Sequence, residues 1–140
     1  MRGFDQIDTV GVVGAGTMGS GIAQVAATAG YDVVMRDIED DLVADGFDRI
    51  DHSLSRFVEK EQLTRAEADA AVDRITGTTD LSDLADCDYV IEAAVENMDI
   101  KQDIFADLDE AVDDDVVLAT NTSTLSITTI ASATERPELV

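Results

Sequence analysis

The chain has 140 residues, the size of one domain and too short for a typical two-domain enzyme. Hydrophobic residues make up 45%, which excludes a disordered polymer, and no apolar run approaches the ~20 residues of a membrane span. With 31 acidic against 9 basic residues the net charge is −22, which makes nucleic acid and anionic membrane poor partners.

Val10 to Val13 is a short apolar run, as a buried parallel strand requires. Thr17 to Ala29 is rich in small residues and closes at Gly30, which predicts a helix and its stop. Val33, Val34 and Met35 mark a second buried strand within Tyr31 to Arg36. From Asp41 to Lys60, Val43, Phe47, Ile50, Leu54 and Phe57 recur every three or four residues, one face of an amphipathic helix. Thr64 and Glu67 form a capping-box pattern that opens another helix, running to about Arg74. Ile75 to Thr78 predicts a short strand, Tyr89 to Ile91 a strand, Ile100 to Val112 a helix and Val116 to Ala119 a strand. One or two helical turns are expected over Ser126 to Ser132. Strands separated by helices give a parallel α/β sheet. The helix pair between the second and third strands is longer than a crossover needs, and is expected to project as a hairpin.

Asp supplies 22 of the 31 acids, and Lys only 2 of the 9 bases. Acids interspersed between apolar positions indicate a folded, acid-coated surface of the kind suited to high salt, where self-repulsion is screened within ~3 Å at 1 M. An ordinary acidic cytoplasmic protein is the alternative. The start lacks the basic-then-apolar plan of a secretory signal. The lone Cys87 excludes an intramolecular disulfide and a cysteine metal cluster, and is consistent with a reducing cytoplasm.

Gly14-Ala15-Gly16-Thr17-Met18-Gly19 is a complete G-x-G-x-x-G that follows a strand and opens a helix. Gly14 permits the tight turn, Gly16 leaves room for a pyrophosphate against the backbone, and Gly19 lets helix and strand pack closely. The helix N-terminus then presents unpaired N–H groups to phosphate. Asp37 ends the second strand, where a carboxylate accepts both ribose hydroxyls and repels a 2′-phosphate, favouring NAD over NADP. Arg36 is adjacent and of a type that hosts a 2′-phosphate, but neighbouring strand residues face opposite ways.

With these residues, Val10 to Ala26 resembles the opening of the 3-hydroxyacyl-CoA dehydrogenase family. Val90-Ile91-Glu92-Ala93-Ala94-Val95-Glu96-Asn97 and Ala119-Thr120-Asn121-Thr122-Ser123-Thr124-Leu125 resemble the family's stretches after its fourth and fifth strands. The resemblance covers the N-terminal half of such an enzyme. It implies a Rossmann-type doubly wound, mainly parallel sheet, with one NAD-binding domain over residues 1–140 and the C-terminal helical domain absent. It implies NAD as cofactor, a 3-hydroxyacyl-CoA as substrate and fatty-acid oxidation as setting. Glu96 and Lys101 match family positions that contact the cofactor; a surface acid and a solvated helix residue are the alternatives. Ser123 matches the serine that orients the substrate's reacting oxygen, and helix-cap chemistry is its alternative. Ser53 and Lys60 match positions that contact coenzyme A, with solvated helix residues an equal reading.

The family's general base is a histidine oriented by a glutamate, beyond the region where this chain stops. His52 is the only histidine, off the apolar stripe of the long helix, and reads as a surface residue. This chain alone is therefore expected to bind NAD and to be inactive, with the missing domain supplied in cis or in trans. The fifth strand is then expected at a sheet edge unless the tail folds back. A dehydrogenase of a small hydroxy acid and a non-catalytic NAD-binding module remain as rivals.

Overall fold

A computed structural model describes residues 4–93, 97–120, 131 and 134–140. Their elements in chain order are β1 (Thr9–Val13), α1 (Thr17–Thr28), β2 (Asp32–Arg36), α2 (Asp40–Glu59), α3 (Arg65–Asp73), β3 (Ile75–Thr78), β4 (Tyr89–Glu92), α4 (Met98–Ala111) and β5 (Val117–Thr120). Short 3-10 turns occupy Phe4–Gln6, Leu81–Leu84 and Pro137–Leu139. The strands form one sheet in the order β3-β2-β1-β4-β5, and every pairing is parallel. The chain leaves β1 in one direction and returns at β4 on its other side, so the C-terminal ends of β1 and β4 flank the point where such sheets bind ligands.

Two cores lie on opposite faces of the sheet. On one, Val10, Val12, Val33, Met35 and Ile75 pack with Ala23 and Ala27 of α1, Val43, Ile50 and Leu54 of α2, and Ala68 and Ala71 of α3. On the other, Val13, Val90 and Leu118 pack with Ile104, Phe105 and Leu108 of α4 and with Leu84 and Cys87. Helices on both faces make the fold doubly wound. Gly11 allows the second core to close: a Cβ there would stand 2.9 Å from Leu84 and 3.0 Å from Cys87.

The local chemistry explains the element ends. Gly30 stops α1 with φ of 104°, a conformation that favours glycine. The Thr64 hydroxyl accepts from the Glu67 N–H, and the Glu67 carboxylate accepts from the Thr64 N–H, both at 3.1 Å. This reciprocal box starts α3 and holds the Glu67 carboxyl below its ordinary range. α4 starts earlier than the apolar spacing predicts, because the Asn97 side chain accepts from the Ile100 N–H at 3.1 Å and caps it.

Two expectations need correction. The α2–α3 hairpin is present, but it does not project. Its alanines and aliphatics join the core of α1, and the Arg74 guanidinium donates to the Ala27 carbonyl at 2.8 Å. The small residues on α1 and α3 permit that close approach. Phe57 ends the predicted stripe but is 39% exposed; the last turns of α2 bury Leu54 and lean on Val58 and Leu63 instead. The helical turns expected over Ser126 to Ser132 lie almost wholly outside the described residues.

Among the described residues β5 pairs only with β4. Its start is covered by the returning segment 134–140. The buried Arg136 there donates from Nε to Asp109 Oδ1 at 2.6 Å and from Nη2 to the Asp109 carbonyl at 2.9 Å. It also reaches the carbonyls of Val112 at 3.3 Å, Asp113, and Val116 at 3.2 Å.

Candidate cofactor-binding site

The glycine turn joins β1 to α1. Gly14 has φ of 114°, and its N–H donates to the Arg36 carbonyl at 2.6 Å, fixing the turn to the end of β2. A Cβ on Gly19 would lie 1.9 Å from the Gly14 carbonyl oxygen, so the first turn of α1 can approach the strand end only without a side chain there. Gly16 differs: a Cβ there would meet nothing within 4 Å, which leaves open space beside the backbone. Gly16 is also the N-cap of α1, and no side chain caps that end. The first turn of α1 carries no acid, whereas those of α2, α3 and α4 carry Asp40 and Asp41, Glu67, and Asp99. In so acidic a chain, this helix terminus keeps its positive dipole end open to an anion. Thr17 and Met18 are exposed at it.

The half-buried Asp37 faces this turn. Its Oδ2 accepts from the Ala15 N–H at 2.8 Å and its Oδ1 from the Ile38 N–H at 2.7 Å. Each oxygen retains acceptor capacity for a hydroxyl. Arg36 is occupied elsewhere, donating from Nε to the Thr79 carbonyl at 3.0 Å. Ala15 is held from its other side too: Arg49 of α2 donates to its carbonyl at 3.1 Å, and a Cβ on Gly46 would stand 2.9 Å from that same oxygen. The sequence reading missed Arg49 and Gly46. A glycine within an otherwise sound helix was the signal for close packing.

A second cluster stands at the ends of β4 and β5. Lys101 is neither exposed nor solvated, which corrects the solvated-helix alternative. It is 0% exposed, and its Nζ lies 2.5 Å from Glu92 Oε1. Glu92 is also 0% exposed, and the same oxygen accepts from the Thr120 hydroxyl at 2.8 Å. Glu92 was overlooked although its motif was read. An acid that ends an apolar strand, as Asp37 does, was the available signal. Glu96 and Ser123 lie outside the described residues.

The α2 candidates share one surface. Ser53 accepts from the Gln24 amide at 3.0 Å, linking α2 to α1. With Arg56, Phe57 and Lys60 it lines a cavity of about 240 Å³. His52 is exposed on the same helix. Cys87 is buried, and its thiol is pushed up to about 12, first by burial and then by the Asp88 and Asp86 carboxylates. It is held as an inert thiol. Among the described residues no group of three or more His, Cys, Asp or Glu could hold a metal ion, and no helix is long and apolar enough to cross a membrane.

Glycines shaped for close approach, an acid-free helix end and a carboxylate on the turn fit an adenine dinucleotide. Comparison with known proteins gives the same answer. Residues 9–140 match the model of the 3-hydroxyacyl-CoA dehydrogenase NAD-binding domain. The chain belongs to this family. The cofactor of this chain is accordingly NAD. It is 49% identical over 137 residues to a 3-hydroxybutyryl-CoA dehydrogenase of Mycobacterium tuberculosis, covering 97% of this chain and 48% of that one. It is 46% identical over 132 residues to the enzyme of that name from Bradyrhizobium diazoefficiens, covering 94% of this chain and 45% of that one. The crystal structure of (S)-3-hydroxybutyryl-CoA dehydrogenase from Ralstonia eutropha superposes with a TM-score of 0.92 at 48% identity, over 95% of this chain and 47% of that one. The chain thus spans about half the length of the curated relatives it matches.

Proposed function

We propose that the chain is the cofactor-binding half of an L-3-hydroxyacyl-CoA dehydrogenase. The whole enzyme would move hydride between NAD and C3 of a 3-hydroxyacyl-CoA in fatty-acid oxidation. The observation that carries this reading is the Asp37 carboxylate seated on the Ala15 N–H of a glycine turn, within a chain that matches the family from residue 9 to 140.

When bound, NAD supplies the hydride acceptor. The residues of this chain hold and orient. The open N-terminus of α1, with Gly16, Thr17 and Met18, receives the pyrophosphate, and Gly14 and Gly19 let it come close. Asp37 accepts from the adenosine ribose hydroxyls and excludes a 2′-phosphate. Lys101 and Glu96 serve the cofactor beyond β4. Ser123 orients the substrate oxygen, since a hydroxyl both donates and accepts. Ser53 and Lys60, with Arg56 beside them, offer a hydroxyl and two cations to the phosphates of coenzyme A.

Alcohol oxidation also requires a group to take the hydroxyl proton. His52 is the only histidine, and it is exposed on α2, remote in sequence from Ser123. By the family resemblance this group is a histidine of a helical domain, joined in cis or supplied in trans. An apolar groove beside α1, lined by Met18, Ile22, Val25, Tyr31 and Tyr89, suits such a partner. The rival reading is a non-catalytic NAD-binding module.

The acid coat and the lone, buried Cys87 support a salt-rich cytoplasm as the setting. Rising thermal stability between low and molar salt is the expected sign. The functional test is spectrophotometric. The pure chain, mixed with NADH and a 3-ketoacyl-CoA, is expected to bind NADH and consume none. Turnover should appear when a helical domain carrying the histidine is added. Turnover by the chain alone would overturn the division of labour, and binding without turnover under both conditions would favour the module reading.

A further inference from the structure

Burying an ion pair is a poor way to gain stability. Apolar residues of similar volume in its place are often neutral or stabilising. Yet one of the two lysines in the chain is placed in the interior against a fully buried glutamate. The location explains it. Glu92 is the last residue of β4 and lies in register with Val13 on one side and Thr120 on the other. Val13 is the residue before the glycine turn, and the Ala93 N–H donates to its carbonyl at 2.8 Å. Thr120 is the last residue of β5, from which the chain runs on towards Ser123. Glu92 therefore stands at the strand ends that flank the ligand crevice, and one of its oxygens accepts from both Lys101 and Thr120.

We propose that Glu92 is a positioning residue of the cofactor site, holding the Lys101 ammonium and the Thr120 hydroxyl in place beneath the crevice between β1 and β4. The proposal rests on the reading that Lys101 serves the cofactor. A lysine side chain has four rotatable bonds, and a lone ammonium has no reason to keep one position. A buried, charge-assisted hydrogen bond fixes it. The Thr120 bond ties the same point to β5.

The test is a double-mutant cycle on this chain, read as the Kd for NADH by fluorescence with Tm recorded alongside. Lys101→Met and Glu92→Gln should each raise the Kd about tenfold, the scale of losing one charge-assisted hydrogen bond. Glu92→Gln added to Lys101→Met should raise it no further, because Glu92 acts through the lysine. A purely structural role would lower Tm and leave the Kd alone. Thr120→Val loosens the anchor without unpairing a charge, and should raise the Kd about threefold even if the other variants fail to fold. An unchanged Kd in Glu92→Gln and Thr120→Val, with Lys101→Met weakened, would overturn the proposal and leave the cofactor reading standing. An unchanged Kd in Lys101→Met would remove Lys101 from the site and Glu92 with it. If the wild-type chain bound no NADH, the cofactor reading would itself have failed, and the proposal with it.

Discussion

Arg136 offers a direct test of how the returning segment is held. Its guanidinium donates to the Asp109 carboxylate and carbonyl and to the carbonyls of Val112, Asp113 and Val116. Asp109 lies in the last turn of α4 and Val112 is its C-cap, so Arg136 acts as a cap there and as a cation at the negative end of the helix dipole. Arg136→Met removes all of these bonds and keeps much of the volume. Breaking a buried pair by deleting one partner costs about 3–5 kcal/mol. The Asp109 side chain retains 12% exposure, and water can reach the carbonyls once 134–140 loosens, so about 3 kcal/mol is expected. Asp114, 3.9 Å away and exposed, adds little. For a domain of this size the loss lowers Tm by roughly 10 °C, measured by circular dichroism melting. Arg136→Lys keeps the charge without the planar fork and should recover about half. Because the pair is buried, the effect should persist in molar salt. A Tm within about 2 °C of wild type, or a loss that disappears in high salt, would refute the reasoning.

Gly16 and Gly19 should separate binding from folding. Gly16→Ala meets no protein atom, so Tm should hold while NAD affinity falls about tenfold as the methyl enters the phosphate space. Gly19→Ala drives a Cβ into the Gly14 carbonyl and should lower both Tm and affinity. Equal affinity in Gly16→Ala would place the pyrophosphate elsewhere. Cys87 gives a pH prediction. The folded protein holds the thiol proton to about 12, whereas the unfolded chain releases it near 9.0. The contribution is thus fully present below pH 9 and is lost as pH rises towards 12. Urea midpoints should fall more steeply above pH 9 in wild type than in Cys87→Ala, and parallel curves would contradict the burial argument.

The α/β plan was readable because hydrophobic period and punctuation agree. The Val10–Val13 run, the Gly30 stop and the Thr64–Glu67 box each have a local physical cause, and each stands where the sequence put it. What depends on distant neighbours was not readable. Phe57 continues a perfect helical stripe, yet α2 leans on Val58 and Leu63 at that end. Gly46 looks like a weak point in a helix until Ala15 is found beneath it. At the site, the glycine turn and Asp37 carry their chemistry in local order. Lys101 and Glu92 lie nine positions apart on different elements, and only the parallel register of β4 beside β1 and β5 shows why both are buried.

The central claim is that the glycine turn with Asp37 binds NAD in preference to NADP. Calorimetric titration of the pure chain in molar salt, first with NAD and then with NADP, tests it most directly. The account predicts saturable NAD binding, much weaker NADP binding, and loss of that preference in Asp37→Asn, where the charge that repels a 2′-phosphate is gone. Equal affinity for the two cofactors in the wild-type chain, or no binding of either by a chain shown to be folded, would contradict it.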